Sequence, residues 1–366
     1  VREAEGRGAL REVSSTIALL RVIGSPFAYE CEPPESKREC LRLYEHAVKN
    51  KVGLLYLERL SEMDMLDSLE QKHREERDRH REQLLTAIRV CELLSSHGAR
   101  YALFKSIMPF PATPNDVDVV HFGSDEEYDR IAEVLLRSGY VEVKGHTDSS
   151  QRMFHDARVC EHAHPDRKDV YDVDIYHKVA ASYLVYLDRK KLERCVVEER
   201  VSGGRIRMLT PEAELVAIIT HSILPEQLFT AFAYYPALYY LAKMSPREIR
   251  RFVGMAEESA VKTAVRAHLS LTAQLHETAH GFVPEEVNRV LEVVGKDKGE
   301  VDRLLRNDMN TPHRYSLWTL FRLLVEKCKE GEFRRSVVDQ MVHMTDPTLL
   351  RWVIGNIIWR RRRKTY

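Results

Sequence analysis

The sequence predicts an α+β protein: a small mixed sheet flanked by helices, with an N-terminal helical extension and a helical C-terminal domain. Three observations predict it. Apolar residues recur at helical spacing before residue 60, short period-two runs begin after Gly98, and the chain turns almost wholly helical from Pro211 onward. The changes of pattern divide the 366 residues into an N-terminal helical region (1–97), an α+β domain (98–209) and a helical C-terminal domain with a basic tail (210–366). With 44% hydrophobic and 31% charged residues, the chain can bury a substantial core.

Residues 9–25 and 36–60 each read as one apolar-periodic helix, the second with Leu41, Tyr44, Val48, Leu55 and Leu60 on its packing face. A charged helix follows over 70–97. Its first half, EQKHREERDRHREQ, is nearly all polar and reads as a solvated face rather than an RNA contact; its second half brings Leu84, Leu85, Ile88, Val90, Cys91, Leu93 and Leu94 to a docking surface. Gly98 ends this helix. Strands are expected at Tyr101 to Lys105 and Val117 to Phe122, then a helix from Asp125 to Arg137, and strands at Tyr140 to Lys144, Met153 to His155 and Val170 to Tyr176. Gly203 and Gly204 centre a hairpin over Leu192 to Leu209. Thr210 and Pro211 form a helix start, and helices are expected near 212–224, 228–243, 259–280, 314–329 and 347–359. The aromatic-rich run Phe229 to Tyr240 reads as helix core in preference to a base- or lipid-binding surface.

Composition narrows the function classes. Lysine plus arginine and aspartate plus glutamate both number 56, a net charge of +0, so no uniform electrostatic grip on nucleic acid is implied. The six cysteines, Cys31, Cys40, Cys91, Cys160, Cys195 and Cys328, lack the short paired spacings of a structural zinc site or a dithiol redox centre. They fit ordinary thiols in a reducing compartment. The N-terminal VREAEGRGALREVSS has no apolar signal-peptide core and no segment reaches the roughly 18 apolar residues of a membrane span, so the expected location is cytoplasmic.

The most informative stretch is KSIMPFPATPNDVDVVHFG, residues 105–123. Pro109, Pro111 and Pro114 argue against a helix and lead into the alternating Asp116, Val117, Asp118, Val119. On a strand, Asp116 and Asp118 share a face, and carboxylates held so closely repel unless protons, basic groups or cations compensate them. The segment YDVDIYHKV, residues 171–179, repeats the pattern with Asp172 and Asp174. A single such pair is commonly a solvated strand face. Two pairs, each flanked by apolar strand residues, point to carboxylates converging on a magnesium site if the strands are neighbours.

This ordered set, a short strand ending in Lys105 and Ser106, then Asp116 and Asp118, then Asp172-Val173-Asp174-Ile175-Tyr176-His177, resembles the DNA polymerase beta-like nucleotidyltransferase superfamily. Within it the chain looks closest to the broad group of uncharacterised bacterial and archaeal nucleotidyltransferase proteins. The resemblance covers about residues 98–179 and implies a small mixed nucleotidyltransferase sheet. It places Ser106 as a phosphate contact, Asp116 and Asp118 as the metal pair, and Asp174 as the third carboxylate, with Asp172 the competing choice. Lys105 stands where the family has a glycine, as a compact cation able to neutralise phosphate. The implied activity is transfer of a nucleoside monophosphate from a nucleoside triphosphate such as ATP, with Mg2+ or Mn2+, to a hydroxyl of RNA, protein or a small molecule, releasing pyrophosphate. The alternative is a catalytically inactive nucleotide- or RNA-binding protein that retains the fold.

Arg152, Arg158 and Lys178 are further candidate phosphate contacts, with ordinary surface roles equally open. His121 and His155 belong to no multi-histidine arrangement, and His177 falls on the opposite strand face from Asp174. Near the end of an amphipathic helix, His221 is accounted for by packing or by the helix terminus. The ending RWVIGNIIWRRRRKTY carries Trp352, Ile357, Ile358 and Trp359 before the cationic run Arg360 to Lys364. It reads equally as a packed last helix with a solubilising tail or as a contact for RNA or an anionic surface.

Overall fold

The computed structural model describes residues 14–28, 30–143, 150–157, 172–181 and 183–343. Four helices come first: α1 (Ser15–Ile23), α2 (Lys37–Lys49), α3 (Gly53–Glu62) and α4 (Glu70–Ser96). The α+β region follows with β1 (Tyr101–Leu103), β2 (Asp116–His121), α5 (Asp125–Arg137), β3 (Tyr140–Glu142), β4 (Gln151–Asp156) and β5 (Asp172–Tyr176). It continues with β6 (Val179–Ala181), β7 (Leu184–Leu187), α6 (Arg189–Glu193), β8 (Val196–Val201) and β9 (Gly204–Leu209). Beyond it lie α7 (Pro211–Ile223), β10 (Leu228–Phe229), α8 (Ala231–Lys243), α9 (Pro246–Glu258), α10 (Lys262–His280) and α11 (Glu285–Val294). The last described elements are α12 (Lys298–Arg306), β11 (His313–Arg314), α13 (Leu317–Lys327) and α14 (Gly331–His343).

Seven strands form one mixed sheet in the order β3-β4-β5-β2-β1-β9-β8. The pairs β2–β5 and β1–β9 are parallel and the other neighbours antiparallel. The sheet is covered on both faces. Tyr101, Leu103, Val117, Val119, Phe154, Val173 and Ile175 pack with Ile88, Cys91 and Leu94 of α4 and with Tyr128, Ile131 and Leu135 of α5. On the other face Ala102, Phe104, Val120, Phe122 and Tyr176 join a core that runs from Ile17 to Leu323, through the N-terminal and C-terminal helices. Strand alternation thus sorts each residue to one of two cores.

Local chemistry sets several boundaries. Helix α5 begins in a capping box, with the Ser124 hydroxyl on the Glu127 amide and the Glu127 carboxylate on the Ser124 amide, and three acidic residues fill its first turn. Ser202 and Gly203 turn the β8–β9 hairpin at φ 48° and 85°, the left-handed pair that suits the strand twist.

The helix expected over 36–60 is two helices. It breaks at Asn50, Lys51 and Val52, where the fully buried Asn50 side chain donates to the carbonyls of His46 (3.1 Å) and Thr311 (3.2 Å) and accepts from the Ala231 amide (3.1 Å). These tertiary bonds override the periodicity, and Lys51 takes φ 59°. The strand expected to reach Lys105 stops at Leu103, with Lys105 at φ 57°. Leu228 and Phe229, expected to open a helix, instead pair with β11. The 347–359 helix and the basic run after it lie outside the described residues. Among the described residues no helix is long and apolar enough to cross a membrane.

Candidate active site

The parallel pairing of β2 and β5 sets Asp116 opposite Asp172, Val117 opposite Val173 and Asp118 opposite Asp174. Neighbouring strands stand about 4.8 Å apart and partners in register face the same way. The four aspartates therefore form a two-by-two array on the face opposite the buried Val117, Val119, Val173 and Ile175. Burial, then the carboxylates of Asp118 and Asp172, push the Asp116 carboxyl up to about 7. Asp174, only 4% exposed, is raised well above the usual carboxylate range by burial and then by Asp116 and Asp118. The array is electrostatically overloaded, a state that protons or a cation relieve.

Part of that cation is built in. The buried Lys105 Nζ lies 3.3 Å from Asp118 Oδ2, and 4.6 Å and 5.3 Å from the ring centres of Phe104 and Tyr176. Burial works against its charge, and Asp118 overrides this to hold the ammonium above its ordinary value. Its main chain is fixed as well: the Lys105 N–H donates to Glu214 Oε1 of α7 at 2.5 Å. Burial pushes Glu214 up to about 8. Lys105 Nζ also reaches His221 Nδ1 at 3.4 Å, where the Tyr186 hydroxyl lies at 3.2 Å. Burial and then Lys105 lower the His221 pKa. With Nδ1 accepting from Lys105, the neutral ring carries its proton on Nε2, toward Glu226 Oε1 at 3.6 Å.

Ser106 is oriented otherwise than a phosphate contact requires. Its hydroxyl accepts from the Asp118 amide (2.7 Å) and reaches the Phe104 and Asp118 carbonyls (3.0 and 3.3 Å), tying the loop to β2. Arg152 falls on the α5 face of β4 opposite Ile175, away from the array, with its guanidinium forked onto Glu142 (2.7 and 2.8 Å) and also on Asp129 (3.2 Å). Lys178 is exposed just beyond β5 and does not line the cleft described below, and Arg158 lies outside the described residues. His177 bonds Asp125 (2.8 Å) and Arg189 (3.1 Å) and packs on Tyr128, while His121 accepts from the Gly123 amide and is lowered to about 4 by burial. Both belong to the α5 side of the sheet.

A cleft of about 180 Å³ opens beside the array. It is lined by Asp116, Asp118, Lys105, Thr113 and Asn115 of the sheet region, by His221, Ser222, Glu226, Thr230 and Phe232 of the segments that follow, and by Lys51 of the N-terminal region. Asp172 and Asp174 are not in its lining. Among the contributors that were not predicted are Lys51, Glu214, Glu226 and Gln151. Gln151 donates from Nε2 to Asp174 Oδ2 at 2.5 Å. His221, explained from sequence by packing or by its helix terminus, lines the cleft and meets Lys105.

As the side chains stand, no group of three or more His, Cys, Asp or Glu among the described residues is arranged to hold a metal ion. Two contacts account for this in part, since Lys105 holds Asp118 Oδ2 and the Gln151 amide holds Asp174 Oδ2. The donor set nevertheless suits a hard divalent cation: the array offers only carboxylate oxygens, and Asp174 Oδ1 is buried with no hydrogen-bond partner. On the same face, His155 is 3% exposed with both ring nitrogens unpartnered. No protein-family model matches the chain, and no curated protein matches it.

Proposed function

We propose that the chain is a metal-dependent nucleotidyltransferase, moving a nucleoside monophosphate from a nucleoside triphosphate to a hydroxyl-bearing acceptor. The observation that supports this most is the parallel register that pairs Asp116 with Asp172 and Asp118 with Asp174 beside a cleft. Asp116, Asp118 and Asp174 would hold Mg2+ or Mn2+, which when bound supplies charge stabilisation to the phosphates. Asp174 or Asp172, in its ionised form, would take the proton from the acceptor hydroxyl. The acceptor oxygen bonds to the α-phosphorus as the bond to the pyrophosphate oxygen breaks. Lys105, paired with Asp118, would offset part of the negative charge of the array. His221 and Glu226 line the same cleft.

A second reading, nucleotide or RNA binding without turnover, is favoured by two contacts: Lys105 neutralises Asp118, and the Ser106 hydroxyl is committed to main chain. One experiment separates the two. Purified protein is incubated with labelled nucleoside triphosphates, Mg2+ or Mn2+, and pools of RNA, protein and metabolites. Transfer of label with pyrophosphate release, abolished in Asp116→Ala and Asp118→Ala, supports the enzyme and identifies the acceptor pool. Binding of nucleotide or RNA with no transferred label supports the second reading.

A further inference from the structure

We propose that Lys51 is the phosphate-binding cation of the cleft, through which the N-terminal helical region takes part in recognising a polyphosphate ligand. The inference rests on the nucleotidyl-transfer reading and names the residue that would meet its donor. Of the two lysines that line the cleft, Lys105 is spent on Asp118, whereas Lys51 makes no ion pair or side-chain hydrogen bond among the described residues. An uncompensated ammonium beside an acidic array is available to an anion that arrives with its own divalent cation.

The placement of Lys51 is a built feature of the backbone. Its φ of 59° lies in the left-handed region that side-chain-bearing residues avoid, at the point where the expected continuous helix breaks. The break is held from several directions. Besides its side-chain bonds, Asn50 accepts at its carbonyl from the Phe232 amide (3.0 Å), and the Val52 and Lys51 amides return to the Ala47 and Val48 carbonyls (2.9 and 3.0 Å). Thr230, Phe232 and Ala233 also line the cleft, so Asn50, bonded to Ala231 and Phe232, ties Lys51 to another part of the lining. Lys51 is also close enough to be felt electrostatically at Asp116, with its charge opposing that of the array. A cleft lined by the apolar Phe232, Leu228 and Met108 together with Lys51 and the carboxylates of Asp116 and Asp118 matches a ligand with a flat apolar part and a metal-bearing phosphate chain.

The test uses Lys51→Gly and Lys51→Arg in the full chain. Glycine suits the positive φ, so the first variant should melt no lower than wild type while losing the ammonium. Binding of inorganic triphosphate, ATP and adenosine is measured by calorimetry with Mg2+ present. The expected result is a roughly tenfold loss of affinity for both triphosphates in Lys51→Gly, largely restored in Lys51→Arg, with adenosine unaffected. Wild-type affinity retained by Lys51→Gly overturns this inference and leaves the nucleotidyl-transfer reading standing. Loss confined to ATP overturns the phosphate assignment. If the wild-type chain binds neither triphosphate, the nucleotidyl-transfer reading falls and this inference with it.

Discussion

Asp116 and Asp118 sit two positions apart on one strand, yet removing their charges should have opposite effects on stability. The Asp116 carboxyl titrates at about 7 in the folded chain, against about 4 in an unfolded one. Its folded pKa is raised, so the protonated form contributes stability that is fully present below about pH 4 and is lost as pH rises through about 7. Asp116→Asn removes that loss, and we expect a higher melting temperature at pH 7.5 with a flatter stability profile between pH 4 and 7. Asp118 instead compensates the buried Lys105 at 3.3 Å. Asp118→Asn leaves that ammonium without its carboxylate and should cost roughly 3 kcal/mol in urea unfolding at neutral pH. Equal effects from the two substitutions would contradict the described division of labour. The alternating aspartates were legible from spacing alone. Which one meets a lysine was not, because the contact depends on Lys105 taking a left-handed φ that Glu214 of α7, distant in sequence, holds in place.

At the scale of elements, the readable parts were those whose own side chains decide their structure. Helix α5 matches its expected limits because Ser124 and Glu127 cap it and its apolar spacing is regular. The β8–β9 hairpin was read around Gly203 and Gly204, one residue beyond the observed Ser202–Gly203 turn, and the two DxD strands follow from alternation. Elements decided at a distance were misread. The break between α2 and α3 is set by Asn50 reaching Ala231 and Thr311, and the pairing of Leu228 and Phe229 with β11 by residues far along the chain. Helix α9 was not anticipated, although Ser245 and Glu248 form its capping box and Pro246 stands at its first position. Asn50→Ala should reveal the first of these dependences. It strips the Ala231 amide of its acceptor and the Thr311 carbonyl of a donor, with an expected loss of about 2 kcal/mol. A urea midpoint unchanged from wild type would show that the break holds without those bonds.

Across the whole molecule, the cleft belongs to no single stretch of sequence. Lys51 comes from the N-terminal helices, the aspartates and Lys105 from the sheet region, and His221, Glu226 and Phe232 from the helices that follow. The core that covers the carboxylate-bearing side of the sheet is shared in the same way, from Ile17 to Leu323. A fragment of residues 98–209 would leave Ala102, Phe104, Val120, Phe122 and Tyr176 bare on that side. We expect it to bind a hydrophobic dye strongly and to lack dispersed amide resonances, whereas the full chain shows the reverse. Single-sequence periodicity marks where helices and strands begin, but it carries no record of which helix a strand face will meet, so the residues that line the cleft with the carboxylates could not be read from it.

The Lys105–Asp118 contact has a thermodynamic corollary. A divalent ion held by Asp118 would be repelled by the ammonium 3.3 Å from its Oδ2, so under the proposed reading Lys105 is an internal competitor, and the strength of its pairing is subtracted from the affinity of the site for metal. Linkage makes the exchange reciprocal: whatever factor the lysine takes from ion binding, a bound ion takes from the lysine's hold on Asp118. Because the same residue is anchored through its amide to Glu214 and through its ammonium to His221, the swap of one cation for another at the strand is felt on α7, across the cleft.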